Sequence, residues 1–165
     1  MIKKRQSMLR TSAMSYPAEL PLDAPPPSRC LVLDTNVVLD LFVYLDPHSR
    51  GAAAASLSTD WTWLASLSMR DELERVLTYV HIAARLTHSG ISSAQVLAQY
   101  DARTRPVAAA PRSSAICKDR DDQLFIDLAV QHRAVLVSKD KAVLALKRKL
   151  SVLGVSVLKP HEFKG

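Results

Sequence analysis

Short apolar runs of strand length, set apart by stretches with helical spacing, constrain this chain more than any other feature. Cys30-Leu31-Val32-Leu33, Ala134-Val135-Leu136-Val137 and Val155-Ser156-Val157-Leu158 are the clearest of them. The first two are continuous rather than alternating, which is the signature of strands covered on both faces. Trp61-Thr62-Trp63-Leu64-Ala65 adds a further stretch of strand composition, in which large side chains alternate as in a core or dimer face. Between the strands, Val38, Leu41 and Phe42 share a helical face, and the alanines after Gly51 favour helix by propensity. Ser68 followed by Asp71 resembles a capping box opening a helix over residues 71–77, and Ser92 with Gln95 gives the same signal for a helix through Tyr100. Pro106 and Pro111 mark a connecting loop. Asp121 or Asp122 can cap a helix carrying Leu124, Phe125, Leu128 and Ala129, and residues 142–150 are helical by spacing, with Lys147, Arg148 and Lys149 at the end where the helix dipole favours cations. Alternation of this kind predicts an α/β fold with a parallel central sheet and helices on both faces.

The 165 residues suit one domain. Residues 1–28, with Pro17, Pro21 and Pro25-Pro26-Pro27 and few large aliphatics, read as a disordered tail, and the domain is placed at residues 29–163. A hydrophobic share of 48% against 23% charged residues is ordinary for a soluble protein and too mixed for a membrane span, so no membrane partner is expected. Cys30 and Cys117 are too few for a disulfide framework and form no CxxC, which fits the reducing cytoplasm, as does a basic start without a signal-length apolar run. The net charge of +6 favours an anionic partner but serves plain solubility equally well.

Acidic residues carry the functional argument. Parallel sheets bind ligands beyond the carboxyl ends of their strands. Asp34 directly follows the first strand, Asp140 stands just past Ala134-Val135-Leu136-Val137, Asp122 begins a helix whose N-terminus faces the same crevice, and Glu72 lies in an early turn of the helix after the second strand. Carboxylates gathered at one edge repel one another and raise each other's pKa values, a conflict that a divalent cation resolves. Mg²⁺ or Mn²⁺ takes such oxygen ligands and suits phosphodiester hydrolysis.

Leu33-Asp34-Thr35-Asn36, the Glu72-Leu73-Glu74-Arg75-Val76-Leu77 helix, Asp119-Arg120-Asp121-Asp122 with Ala129 beyond, and Val137-Ser138-Lys139-Asp140 resemble the ordered motifs of PIN-domain proteins. The ending from Val155 to Phe163 resembles the close of the subfamily of toxin components of toxin-antitoxin systems, and the likeness spans residues 29–163. The resemblance implies a three-layer α/β/α domain of the 5'-nuclease-like kind and a metal-dependent endoribonuclease. It implies Asp34, Glu72, Asp122 and Asp140 as catalytic metal ligands for Mg²⁺ or Mn²⁺, Asn36 and Ser138 orienting carboxylates or water, and Asp119 as an auxiliary. Its implied partners are an RNA substrate and an antitoxin protein, and related domains often form homodimers. Lys118, Arg120 and Lys139 depart from residues common in relatives.

Each assignment has a plainer competitor. Asp122 has the lesser alternative of an N-cap alone, worth about 1 kcal/mol, and Glu72 competes with Asp71 and Glu74 as a solvent-facing helix acid. Asp40, Asp46, Asp60, Asp101 and Asp127 read as ordinary surface or capping acids, and the five histidines have no zinc-ligand spacing. The functional alternatives are a PIN-like RNA- or protein-binding module without catalysis, and a haloacid-dehalogenase-type phosphotransferase, which wants DxD where this chain has Asp34-Thr35-Asn36.

Overall fold

The structure is a computed structural model and describes residues 29–165; the tail expected over residues 1–28 lies outside the described residues. Five parallel strands form one sheet in the order β3-β2-β1-β4-β5, namely β1 (Cys30–Leu33), β2 (Thr62–Ala65), β3 (Arg105–Pro106), β4 (Val135–Val137) and β5 (Ser156–Leu158). Leu31 pairs with Trp63 on one side and Val135 on the other, and Leu33 lies opposite Val137. Leu31, Val32 and Leu33 are all buried, as a strand covered on both faces requires. The sheet is built outward from β1 through β2 to β3, after which the chain returns to add β4 and β5 on the other side. Right-handed crossovers around such a reversal place helices on both faces and leave a crevice between the ends of β1 and β4.

The helices are α1 (Thr35–Leu39), α2 (Arg50–Ala55), α3 (Leu67–Leu77), α4 (Val80–Ser89), α5 (Ser93–Arg103), α6 (Gln123–His132), α7 (Lys141–Leu144) and α8 (Lys147–Val152). Short 3-10 turns occupy Pro47–Ser49 and Pro160–Glu162. α1 continues into a π-helical turn, Asp40–Tyr44, ended by Leu45 in the left-handed region at φ 53°. None of the helices among the described residues is long and apolar enough to cross a membrane.

Four details differ from the sequence reading. Pro106 belongs to a two-residue strand rather than a loop; β3 is the sheet edge, where the missing N–H of proline costs no ladder bond. α3 begins at Leu67, with Ser66 in extended geometry at the N-cap, because the extra turn buries Met69 on the same face as Leu73 and Leu77. α4 was not anticipated; Ile82 and Leu86, four apart, give it a buried stripe, and Gly90 at φ 66° ends it. Residues 142–150 do not form one helix: Leu146 leaves helical geometry at φ −90°, ψ 1°, and Val143 and Leu150 on either side of the break are both fully buried. The Ser92 and Gln95 signal does open α5, each side chain accepting from the other residue's N–H at 3.1 and 2.8 Å.

Trp63 is buried, stacking on Phe42 at 6.2 Å and meeting Tyr100 edge-on at 5.2 Å. Trp61 packs edge-on against Phe163 at 5.1 Å, which ties the chain's last segment to the β2 side. The same segment crosses α2 so closely that a Cβ on Gly51 would run into the Phe163 carbonyl.

Candidate active site

Asp34 ends β1 and caps α1 at once. Its Oδ1 accepts from Val37 N at 2.9 Å, and its Oδ2 accepts from Lys139 N at 3.3 Å, a residue 105 positions later in the chain. Only 2% of Asp34 is exposed. Burial pushes its pKa up, against the hydrogen bonds from Ser138, Val37 and Lys139 that favour the charged form. Asp140 follows β4 and caps α7, with Oδ1 accepting from Ala142 N at 2.6 Å and Val143 N at 3.4 Å. Ser138, fully buried, joins the two: its hydroxyl accepts from Asp140 N at 3.0 Å and donates to the Asp34 carboxylate.

Asp122 occupies the N-cap position of α6 with φ −82° and ψ −14°, yet its side chain makes no capping bond. Its Oδ2 is buried and lacks a hydrogen-bond partner among the described residues. Burial, then the charges of Asp140, Asp119 and Asp34, push its pKa up to about 7, and the Asp140 carboxyl is near enough to share a hydrogen bond when one of the two is protonated. The plain capping explanation therefore does not account for Asp122. Asp119 turns the preceding loop, its Oδ1 accepting from Asp121 N at 2.9 Å.

Glu72 projects from α3 toward α1, where Thr35 Oγ1 donates to its Oε1 at 3.0 Å. Burial raises its pKa first, the Thr35 bond opposes, and the charges of Asp121 and Asp34 raise it further. Its competitors point elsewhere: Asp71 and Glu74 are exposed, and Glu74 lies 3.5 Å from Arg70. Asn36 is exposed and lines, with Thr35, Glu72, Asp121 and Lys139, a cleft of about 340 Å³.

Three features escaped the sequence reading. Asp40 is no surface acid: it is 3% exposed, accepts from Ser49 Oγ at 3.1 Å and pairs with Lys139 Nζ at 2.7 Å. Asp127 is likewise buried, accepting from Ser113 N at 2.9 Å and Gln123 Nε2 at 2.7 Å. Gln123 also accepts from Cys117 N at 2.7 Å and donates to Ala115 O at 2.9 Å, so one buried amide fixes the loop that delivers Asp119 and Asp122. A charge inside the apolar stretches Val37–Val43 and Leu124–Leu128 was the available sign for both acids.

Among the described residues, no group of three or more His, Cys, Asp or Glu converges tightly enough to hold a metal ion as the side chains stand. Backbone and hydroxyl donors engage Asp34, Asp140 and Glu72 instead. The donor set nevertheless fits Mg²⁺ or Mn²⁺. Its ligand atoms are all carboxylate oxygens, one of them is orphaned, and the mutual repulsion written into Asp122 and Glu72 is what a cation relieves.

Residues 30–142 match the family model described as the PIN domain. No curated protein matches the chain. Among solved structures, VapBC2 from Rickettsia felis bound to a promoter DNA fragment is similar at 14% identity, covering 79% of this chain and 98% of that one, with a TM-score of 0.52. A PilT N-terminus domain protein from the archaeon Sulfolobus solfataricus aligns at 14% identity over 81% of this chain and 89% of its own, with a TM-score of 0.41. With the family model covering most of the chain and the parallel sheet carrying the acids at its carboxyl edge, the chain belongs to the PIN-domain family.

Proposed function

We propose that the chain is an endoribonuclease dependent on Mg²⁺ or Mn²⁺ and the toxin of a toxin-antitoxin pair. The observation that carries the nuclease reading is the partnerless, buried Oδ2 of Asp122, set among the charges of Asp140, Asp119 and Asp34. A fold gains nothing from that arrangement in the absence of a cation. The toxin role is supported by the C-terminal likeness to toxin components and by the similarity to VapBC2.

Asp34, Asp122, Asp140 and Glu72 would hold the ion. When bound, Mg²⁺ or Mn²⁺ supplies Lewis acidity that makes water a better nucleophile and offsets charge growing on the scissile phosphate. The overall reaction forms a P–O bond from water and breaks one to the leaving ribose oxygen. Ser138 keeps Asp34 and Asp140 in fixed relation by accepting from one residue and donating to the other. Thr35 aims Glu72, and the Gln123 amide holds the loop bearing Asp122. Without a cation, burial and the charges of Asp140, Asp119 and Asp34 hold the Asp122 pKa up at about 7.

Asp34→Asn and Asp140→Asn should each lower Mn²⁺-dependent cleavage of single-stranded RNA by about two orders of magnitude or more, with circular dichroism unchanged. Cleavage that continues in EDTA, or in both variants, overturns the mechanism. RNA binding without any cutting in Mn²⁺ identifies a non-catalytic binding module. Anomalous density between Asp34, Asp122 and Asp140 in Mn²⁺-soaked crystals tests the ion directly, and co-purification of a small protein encoded beside the chain tests the antitoxin.

A further inference from the structure

A second groove, of about 320 Å³, adjoins the cleft that Glu72 and Asp121 line, and is itself lined by Asp40, Asp46, His48, Lys139, Lys159, Pro160 and His161. The two depressions share Asp40 and Lys139, so a strand lying in one can continue into the other across the Lys139 side chain. Their charges differ. The first cleft holds Glu72, Asp121 and Asp40 against Arg75 and Lys139. In the second, both acids are already committed. Asp40 is taken up by Lys139 at 2.7 Å and Ser49 at 3.1 Å, and Asp46 accepts from both the backbone N and the ring Nδ1 of His48 at 2.9 Å. Lys159 and His161 remain exposed at the wall; nearby Glu162 is engaged by Lys159 N at 2.8 Å and Lys147 Nζ at 3.8 Å.

Asp40 explains why Lys139 sits where it does. Burying a carboxylate is costly, and pairing it with a lysine whose side chain is 43% exposed fixes that ammonium at the rim between the two depressions instead of leaving it to roam in solvent. We propose that the groove walled by Lys159 and His161 is a phosphate subsite that grips the single-stranded nucleic acid next to the bond cut at the carboxylates, with Lys139, whose backbone N–H holds Asp34, as the bridge between them. The proposal rests on the nuclease reading and adds to it. An acidic site that needs a cation takes the scissile phosphate, and the exposed Lys159 and His161 beside it take the neighbouring one. A ligand with repeating negative charge spans both.

Lys139→Met leaves Asp40 buried without its counter-charge, so the exposed Lys159 and His161 carry the test. With the full chain in Mn²⁺ and a fluorescein-labelled RNA of about ten nucleotides, Lys159→Ala should raise KM roughly threefold to tenfold and leave kcat unchanged, and adding His161→Ala should raise KM further. Fluorescence anisotropy of the same RNA without metal should show the slope of log affinity against log salt falling by about one for Lys159→Ala. Arg133→Gln, at the opposite edge of the sheet beside the start of β4, should change neither quantity. Unchanged KM and salt slope in the double variant overturn the subsite while wild-type cutting keeps the nuclease reading intact. If the wild type cuts no RNA, the anisotropy slope still decides the subsite: a reduced slope in Lys159→Ala upholds it, and an unchanged slope or no binding by the wild type overturns it.

Discussion

Asp122 keeps its proton to about pH 7 in the folded chain, against an ordinary value of 3.8. Below the ordinary value both folded and unfolded states are protonated, and the group's contribution to stability is fully present. Between 3.8 and 7 the unfolded state ionises while the folded state does not, so stability falls with rising pH and the contribution is lost above about 7. Metal-free Asp122→Asn should therefore be more stable than wild type at pH 8, by on the order of 1 kcal/mol once partial solvent exposure is allowed for, and no more stable at pH 3.5. Urea denaturation at the two pH values measures this, and a variant less stable at pH 8 contradicts the repulsion argument. Mn²⁺ should raise the Tm of wild type at pH 8 and do so far less in the variant. The places of Asp34 and Asp140 at the carboxyl ends of β1 and β4 were legible in sequence, because each directly or closely follows a continuous apolar run. Glu72 was set apart from Asp71 and Glu74 only by the family resemblance, since residue pattern alone does not give the rotation of α3, which Met69, Leu73 and Leu77 fix by packing. The pair Asp40 and Lys139 was hidden altogether, its members lying 99 positions apart.

Loop 113–122 reaches the site because the Gln123 amide binds Cys117 N, Ala115 O and Asp127 Oδ1 at once. Gln123→Leu fills similar volume but strands those buried groups, and should cost about 3 kcal/mol in urea denaturation. Because the loop carries Asp119 and ends at Asp122, Mn²⁺ affinity should fall in the variant, as read by isothermal titration, even under conditions where it stays folded. An unchanged affinity would mean that the loop is held by other contacts. At this scale β1 and β4 could be read directly, because continuous apolar runs have one natural place in a parallel sheet, and β5 from a run interrupted only by Ser156. β3 could not, since a proline argues against a strand unless the edge position is already known. The break between α7 and α8 has no glycine or proline to announce it; packing of Val143 and Leu150 overrides the helical spacing of residues 142–150.

The chain's last described segment and α2 meet through Gly51, where any side chain collides with the backbone at Phe163. Gly51→Ala should destabilise the protein by about 1 to 3 kcal/mol, seen as a lowered Tm, although alanine is the better helix former. An unchanged or raised Tm would show that the segment can lift off without loss. The overall architecture followed from the alternation of strands and helices, whereas the relation of this segment to α2 rests on a contact that no local pattern encodes. The reversal of strand order between β1 and β4 has its own consequence in time. Asp34 leaves the ribosome early, but Ser138 and Lys139, which hold it, are made only after α6 is complete. Until those residues are made, the Asp34 carboxylate lacks the donors that fix it, so its settled geometry arrives well after β1 itself.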